Sequence, residues 1–492
     1  MTDIFDKCRE YRAYQTAVNA GIYPYYHPIA DWLSATEVSI DGRRVLMAGS
    51  NDYLGLSRHP QVVSAATRAV SRFGATNSGS RLLNGTLTLH EHLESRLAAF
   101  LQREAAVVVT TGFQANLAIA ALFGRGDIVF ADRDNHASLA DAVQLSGAVH
   151  RRYPHGDVDR LGRMLAAADP AAGKVIITDG AFSTGGDLAD LPGLAALARA
   201  HGARLIVDGG HDIGLLGERG RGAPEYFAVE HGVDLVTVTL SKCFGSLGGV
   251  LAGPAEVIRY LRHHARSLVF AASLPPANVA AAIAALDIIE AEPERRYRVL
   301  DLAEALHNGL RAYGFDTGMS QTAIVPVRIG DTTLCLRFWT ELLAEGVFAN
   351  AMIPPGVAEG QALIRVTVTA EHTTDQTARI VEALATVGRR LGVIPPVPPA
   401  TFHAVTMARP RRSPETVSGR RRKPHAGREG KSRTTVGGTH DDVLPADARV
   451  MTALVDGRRP RHHRPVPHAR GRTPPAGRGR AFRFAGARTQ LR

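Results

Sequence analysis

Lys242, Asp208 and His211 are the residues whose types and placement could do chemistry together. Lys242 follows the run Val-Thr-Val-Thr-Leu at 236–240, whose β-branched residues suit a strand interior. A lysine at that point has two readings. It is a strand-end lysine snorkelling to water, or it is an amine in a dry site whose pKa falls from about 10.4 so that the neutral form can react. Gly245, Gly248 and Gly249 follow it and remove side chains where backbone or a ligand comes close. Arg204 to Val207 read as a second strand and Asp208 lies at its carboxyl end, where open α/β sheets bind ligands. The plain alternative is an Asp N-cap followed by a core histidine.

An Asp and a His upstream of a strand-end Lys are also the set that a pyridoxal phosphate (PLP) enzyme needs. The carboxylate keeps the pyridinium nitrogen protonated, so the ring can accept electrons, and the imidazole can hold the ring's phenolic oxygen. Residues 107–123 read as a strand, a Thr-Thr-Gly turn and a helix. The start of such a helix is an anion site, so Thr110, Thr111, Gly112 and Phe113 could hold a phosphate; a capped helix explains the stretch equally well. His136 follows a strand and could stack on a flat ring, or be a loop histidine. No GxxxxGK[ST] is present, so Lys242 is not a P-loop lysine.

The elements that must position these residues alternate. Helical patterns at 60–73, 88–102, 114–123, 138–146, 191–201 and 276–291 interleave with strand patterns at 105–110, 127–131, 174–178, 203–208, 234–240 and 249–252. This predicts an α/β fold: a large domain with a mostly parallel sheet covered by helices on both faces. Residues 3–19 read as one short helix, and Asp41-Gly42 as a hairpin turn. After 290 the pattern becomes helix, strand, helix, strand, helix, a smaller C-terminal α+β domain. The expected divisions are an arm and hairpin at 1–50, a large domain at 51–290, a small domain at 291–398 and a tail at 399–492. The tail is rich in Arg, Pro and Gly without periodicity, so it is expected to be disordered.

Bulk composition sets bounds. At 45% hydrophobic and 21% charged, the chain is an ordinary soluble globular protein. No apolar run reaches a membrane span, and the charged N-terminus lacks a signal-peptide core. Three scattered cysteines show no metal spacing and fit a reducing cytoplasm. The net charge of +11 is uneven: 22 Lys and Arg against 6 Asp and Glu lie from Ala408 onward, leaving 36 against 41 before it. Nucleic acid is therefore not an expected partner of the body; the tail could bind acidic partners, but the favoured reading of it is read-through with no role.

The order of short motifs is more specific than any one of them. Gly-Ser-Arg (79–81), Thr-Gly-Phe (111–113), Asn-His-Ala-Ser (135–138), Asp-Gly-Ala-Phe-Ser (179–183), Asp208 with His211, and Leu-Ser-Lys (240–242) follow one another at a characteristic spacing. Over about residues 20–395 the chain resembles the α-oxoamine synthases, PLP enzymes of fold type I. "SGSRLLNGTLTLHEHLE", "TGFQAN" and "SLGGVLAG" are most similar to bacterial serine palmitoyltransferase-type members. The resemblance implies that Lys242 carries the cofactor and moves the α-proton. It places Asp208 at the pyridinium nitrogen, His211 and Ser183 around the ring oxygen, and His136 against the ring. Thr111, Gly112, Phe113 and Thr239 fall at the phosphate, Arg365 at the amino-acid carboxylate and Asn51 on the substrate side.

The implied reaction is a decarboxylating condensation of an L-amino acid, serine favoured, with an acyl thioester, long-chain acyl-CoA favoured, in a cytoplasmic homodimer. An 8-amino-7-oxononanoate, 5-aminolevulinate or 2-amino-3-ketobutyrate type of activity, or use of an acyl carrier protein, is the alternative. No metal is implied. The sequence departs from the family pattern at Gly209-Gly210, usually an acidic or small residue and then Ala or Ser, and at Ala271-Ala272, where a Ser or Thr is usual. Gly156 stands where Asn is usual and Gly185 where an acidic residue is common. The glycine pair predicts a looser backbone, and Ala271-Ala272 a missing phosphate hydroxyl.

Overall fold

The computed structural model describes residues 3–396. The basic tail at 399–492 lies outside the described residues. The alternation resolves into a seven-stranded sheet. From one edge its strands are Ala105–Val109, Gly249–Gly253, Leu235–Thr239, Arg204–Asp208, Lys174–Asp179, Ile128–Asp132 and Val149–Tyr153. Gly249–Gly253 pairs antiparallel with both neighbours; every other pairing is parallel. All strands but one therefore run the same way, and the carboxyl ends that carry Asp208 and lead to Thr111, His136 and Lys242 open on one edge.

Strand periodicity divides the apolar residues between two layers. Val107, Val129, Ile177, Ile206 and Leu251 pack with Ala115, Leu139 and Ile258 from helices on one face. Val108, Phe130, Ile176, Val207, Val236 and Val250 pack with Leu97, Leu194 and Leu286 on the other. Helices thus cover both faces, as the alternation predicts. Strand Val149–Tyr153 escapes the sequence pattern because it is an edge strand whose residues are exposed until Tyr153. The expected helix at 114–123 is α-helical over Gly112–Ala118 and tightens to a 3-10 turn over Ile119–Leu122.

The expected single helix at 3–19 is two, Asp6–Arg9 and Ala13–Asn19. Only Ala13 and Ala17 are buried within them, and Glu10, Tyr11 and Arg12 between are exposed. Without a continuous apolar stripe to pack, a longer helix here has nothing to hold it. The hairpin forms as expected: Ile40 pairs with Arg43 across Asp41 and Gly42, both at positive φ (50° and 73°). Its second strand, Arg43–Met47, also pairs in parallel with Val347–Phe348. Residues 48–53 are therefore stitched to the chain's later part. Thr367 N donates to Ala48 O, Ala370 N to Tyr53 O, and Thr367 Oγ1 to Ser50 O. A three-stranded antiparallel sheet, Ile324–Gly330, Ala362–Thr367 and Asn350–Met352, carries Arg365 on its central strand.

Gly249 lies where that large sheet meets the start of helix Gly112–Ala118. A Cβ there would stand 2.3 Å from Thr111 O and 2.9 Å from Gly112 Cα, backbone atoms with no room to yield. Gly249→Ala is expected to destabilise the fold by about 1–3 kcal/mol, the usual cost of overpacking. Chemical denaturation measures it, and an unchanged midpoint would contradict this close approach.

Candidate active site

Five strand ends build one cavity of about 270 Å³. Thr111, Gly112, Phe113, His136, Asp208, His211, Thr239 and Lys242, all singled out in the sequence, line it. Arg365, Asn51 and Ser183 do not line it; they form a cluster behind His211.

Asp208 closes its strand, and its carboxylate accepts from the Gly210 amide at 2.8 Å and from Asn116 Nδ2 at 2.6 Å. Asn116 also donates to Ser138 Oγ at 2.8 Å, and Ser138 Oγ lies 2.6 Å from His136 Nδ1. Thr237 Oγ1 donates to Asn116 Oδ1 at 2.6 Å and fixes the amide's orientation. One amide therefore orients both the carboxylate and the imidazole. With Nδ1 also accepting from the Ser138 amide, the His136 ring proton belongs on Nε2. Burial holds His136 below the usual histidine range, opposed by Asp208. Asn116 sits in the quoted "TGFQAN" motif, but only the geometry reveals its reach. Asp179 was also missed. It is buried at the end of strand Lys174–Asp179, and burial, then the nearby Asp208 charge, pushes its carboxyl well above the usual range.

Burial pulls the Lys242 amine down to about 8, against the attraction of Asp208. His211 is held well below its ordinary value by burial, with Lys242 and Arg365 adding to the effect, so its ring is neutral. Tyr53 Oη lies 2.7 Å from His211 Nδ1 and accepts from Arg365 Nη2 at 3.1 Å. Arg365 donates further to Asn51 Oδ1 at 2.9 Å and to the Ser183 carbonyl at 2.6 Å. Ser183 thus enters through its backbone. Tyr53 links the arginine cluster to the cavity, and nothing local marks it in the sequence beyond its place two residues after Asn51. Thr111 caps helix Gly112–Ala118, accepting from Gln114 N at 3.1 Å, and Thr239 Oγ1 lies 2.8 Å from Ser241 Oγ.

The glycine pair after Asp208 is held rather than loose. Gly209 N donates to Thr237 O and Gly210 N to Asp208. A Cβ on Gly209 would meet Ile213 Cδ1 at 2.3 Å and Asp212 Oδ1 at 3.0 Å, so the buried Asp212 side chain fills the space a larger residue would take. Ala272 contributes its carbonyl, which accepts from Thr110 Oγ1 at 2.5 Å.

The donor set fits a pyridoxal phosphate. The walls offer an amine whose pKa is lowered to about 8 for a carbonyl carbon, a carboxylate for a ring nitrogen, imidazoles for the ring and a helix start with hydroxyls for an anion. A Cβ on Gly210 would stand 3.0 Å from Asp208 Oδ1 and 3.1 Å from Lys242 Nζ, so even a methyl group would crowd the space between these two groups.

Comparison with known proteins agrees. Residues 43–384 match the family described as aminotransferase class I and II. The chain is 44% identical over 377 residues to 8-amino-7-oxononanoate synthase of Geobacter sulfurreducens, covering 76% of this chain and 96% of that protein. It is 41% identical over 370 residues to serine palmitoyltransferase of Sphingobacterium spiritivorum, covering 75% and 92%. The solved structure of Sphingomonas wittichii serine palmitoyltransferase is 35% identical with a TM-score of 0.78, covering 80% of this chain and all of that one.

In the cofactor-free protein, capture of added PLP by Lys242 is expected to quicken as the pH rises and to level off above about 8, where the amine is neutral, not above the ordinary 10.5. Stopped-flow absorbance against pH reads this, and a rise that continues to pH 10 would contradict it.

Proposed function

Because the chain belongs to the α-oxoamine synthases, PLP-dependent acyltransferases, we propose that it condenses an L-amino acid, serine favoured, with a long-chain acyl thioester. The products are an α-aminoketone, CO2 and a free thiol, as in sphingoid base synthesis. The observation that carries the reading is Arg365. It is 4% exposed, its partners are three neutral oxygens, and among the described residues it forms no ion pair. A buried guanidinium without a counter-ion is costly, and its planar fork suits a carboxylate. The carboxylate of an amino acid supplies the missing charge.

In this reading Thr111, Gly112, Phe113 and Thr239 hold the cofactor phosphate. Asp208 would hold the ring nitrogen, His211 the ring-oxygen side and His136 the ring face, while Ser183, which lies outside the cavity, serves Arg365 through its carbonyl instead of the ring oxygen expected from the sequence. Bound PLP supplies an electron sink for charge developing at the α-carbon. Asp208, already oriented by Asn116 and Gly210, keeps the ring nitrogen protonated. Lys242, with a pKa near 8, can exchange a proton close to neutral pH; it removes the α-proton and later returns one to the same carbon. Arg365 and Asn51 hold the carboxylate while the α-carbon bonds to the acyl carbon and the thiol departs. The carboxylate then leaves as CO2.

The structural likeness to serine palmitoyltransferase favours serine and a long acyl chain. The 44% identity to an 8-amino-7-oxononanoate synthase favours the second reading, another amino acid and acyl group in the same chemistry. The working form proposed is a cytoplasmic homodimer. Leu83 and Phe270 support an interface: they stand 80% and 76% exposed on segments joined by a bridge between Ser80 and Ala272. Among the described residues no helix is long and apolar enough to cross a membrane.

A thiol-release assay crossing serine, alanine and glycine with short and long acyl-CoA tests the substrates. Release requiring serine and a long chain is expected; release with alanine and a short chain would move the protein to the second reading. Arg365→Ala is expected to raise the amino-acid KM by roughly 10- to 100-fold, the usual worth of charge-assisted hydrogen bonds. An unchanged KM would remove Arg365 from its assigned role.

A further inference from the structure

We propose that His155 is a positioning residue for recognition of the amino-acid carboxylate: it clamps the short hairpin at 182–187, whose Ser183 carbonyl fixes the Arg365 guanidinium. The proposal rests on the reading of Arg365 as the carboxylate grip.

His155 lies just after strand Val149–Tyr153 and outside the cavity. Its Nδ1 is 3.0 Å from Asp132 Oδ1 and its Nε2 is 2.9 Å from Asp187 Oδ2. Two carboxylates on the two ring nitrogens require both to donate, which only the imidazolium can do. The pair raises the His155 pKa to about 10, so the clamp is closed at neutral pH. Asp132 is a firm anchor. It is buried at the end of strand Ile128–Asp132 and also accepts from the Gly156 and Asp134 amides.

The other side of the clamp is the hairpin. Phe182 N donates to Asp187 O and Gly186 N to Phe182 O, closing a tight loop. His155 grips both ends of it, through the ion pair to Asp187 and through an edge contact to the Phe182 ring, with centroids 4.4 Å apart at 86°. Ser183, next to Phe182, accepts from Arg365 Nε at 2.6 Å. A second tether, Gln321 N and Ser320 Oγ to Gly186 O, holds the far side of the loop. Loss of His155 should therefore displace the Ser183 carbonyl without unravelling the hairpin. The guanidinium would then lose its aim while its charge stays.

Four PLP-loaded proteins test this: wild type, His155→Gln, Arg365→Ala and the double variant. Amino-acid binding is read at equilibrium from the change in cofactor absorbance without acyl thioester, and both KM values and the affinity for PLP are measured in parallel. His155→Gln is expected to weaken amino-acid binding about 5- to 10-fold. It should leave the acyl-thioester KM and the PLP affinity within about twofold. In the Arg365→Ala background the same change should add less than twofold, because the two residues act in series. Full persistence of the effect in that background, or equal losses in all three measurements, would overturn the proposal. If Arg365→Ala alone leaves amino-acid binding intact, the carboxylate reading itself has failed, a distinct result. Should His155→Gln not fold, Asp187→Asn weakens the same contact and is expected to act in the same direction.

Discussion

Burial of one amine sets the terms for the rest of the site. Lys242 is placed by the end of strand Leu235–Thr239 in a cavity it shares with Asp208 and His211, with Arg365 close enough to oppose its charge. Burial and the arginine push the ammonium toward its neutral form; Asp208 and Asp179 pull the other way. The balance lies near 8, where the amine can both react with a carbonyl and carry a proton. The neutrality of His211 follows from the same burial, with the positive charges of Lys242 and Arg365 adding to it. So does the need for a fixed Asp208, the strongest opposing charge on Lys242, at the end of the neighbouring strand.

Much of the remaining structure orients these few groups. Asn116 ties Asp208 to Ser138, and through it to His136, so the carboxylate and the imidazole are held by one hydrogen-bonded unit on the sheet. Arg365 belongs to a different sheet altogether. Its hydrogen-bonded link to the cavity runs through Tyr53 to His211, and Tyr53 and Asn51 lie on a segment hydrogen-bonded to both Ala362–Thr367 and the residues after it. Lys242 and Asp208 are thus built on the seven-stranded sheet, and Arg365, the proposed carboxylate grip, on the stitching between early and late parts of the chain.

Much of this was legible in the sequence. Apolar and β-branched runs alternating with helical patterns located six of the seven strands in the large sheet, and the strand ends carrying Asp208 and Lys242 followed from them. The exception, Val149–Tyr153, is an edge strand with a polar surface, where hydropathy carries no signal. The family motifs brought together eight residues that line the cavity. Asn116, Tyr53 and Asp179 stayed hidden because hydrogen bonding across distant segments leaves no local pattern. The Gly209-Gly210 departure, which suggested looseness, is answered by packing: Ile213 and the buried Asp212 occupy the space, and both glycine amides are bonded. The split of residues 3–19 was equally invisible, since helical propensity alone does not report the missing buried face.

The central claim is that Lys242 is the amine presented to the cofactor, and borohydride reduction of the PLP-loaded protein followed by peptide mass spectrometry tests it most directly. Reduction makes the lysine–cofactor linkage permanent, and the chain has few competing lysines; Lys7 and Lys174 are the others among the described residues. The account predicts the pyridoxyl phosphate mass on the peptide that contains Lys242 and its loss in Lys242→Ala. Label on Lys174 or Lys7, or no label on a protein that holds PLP, would contradict it.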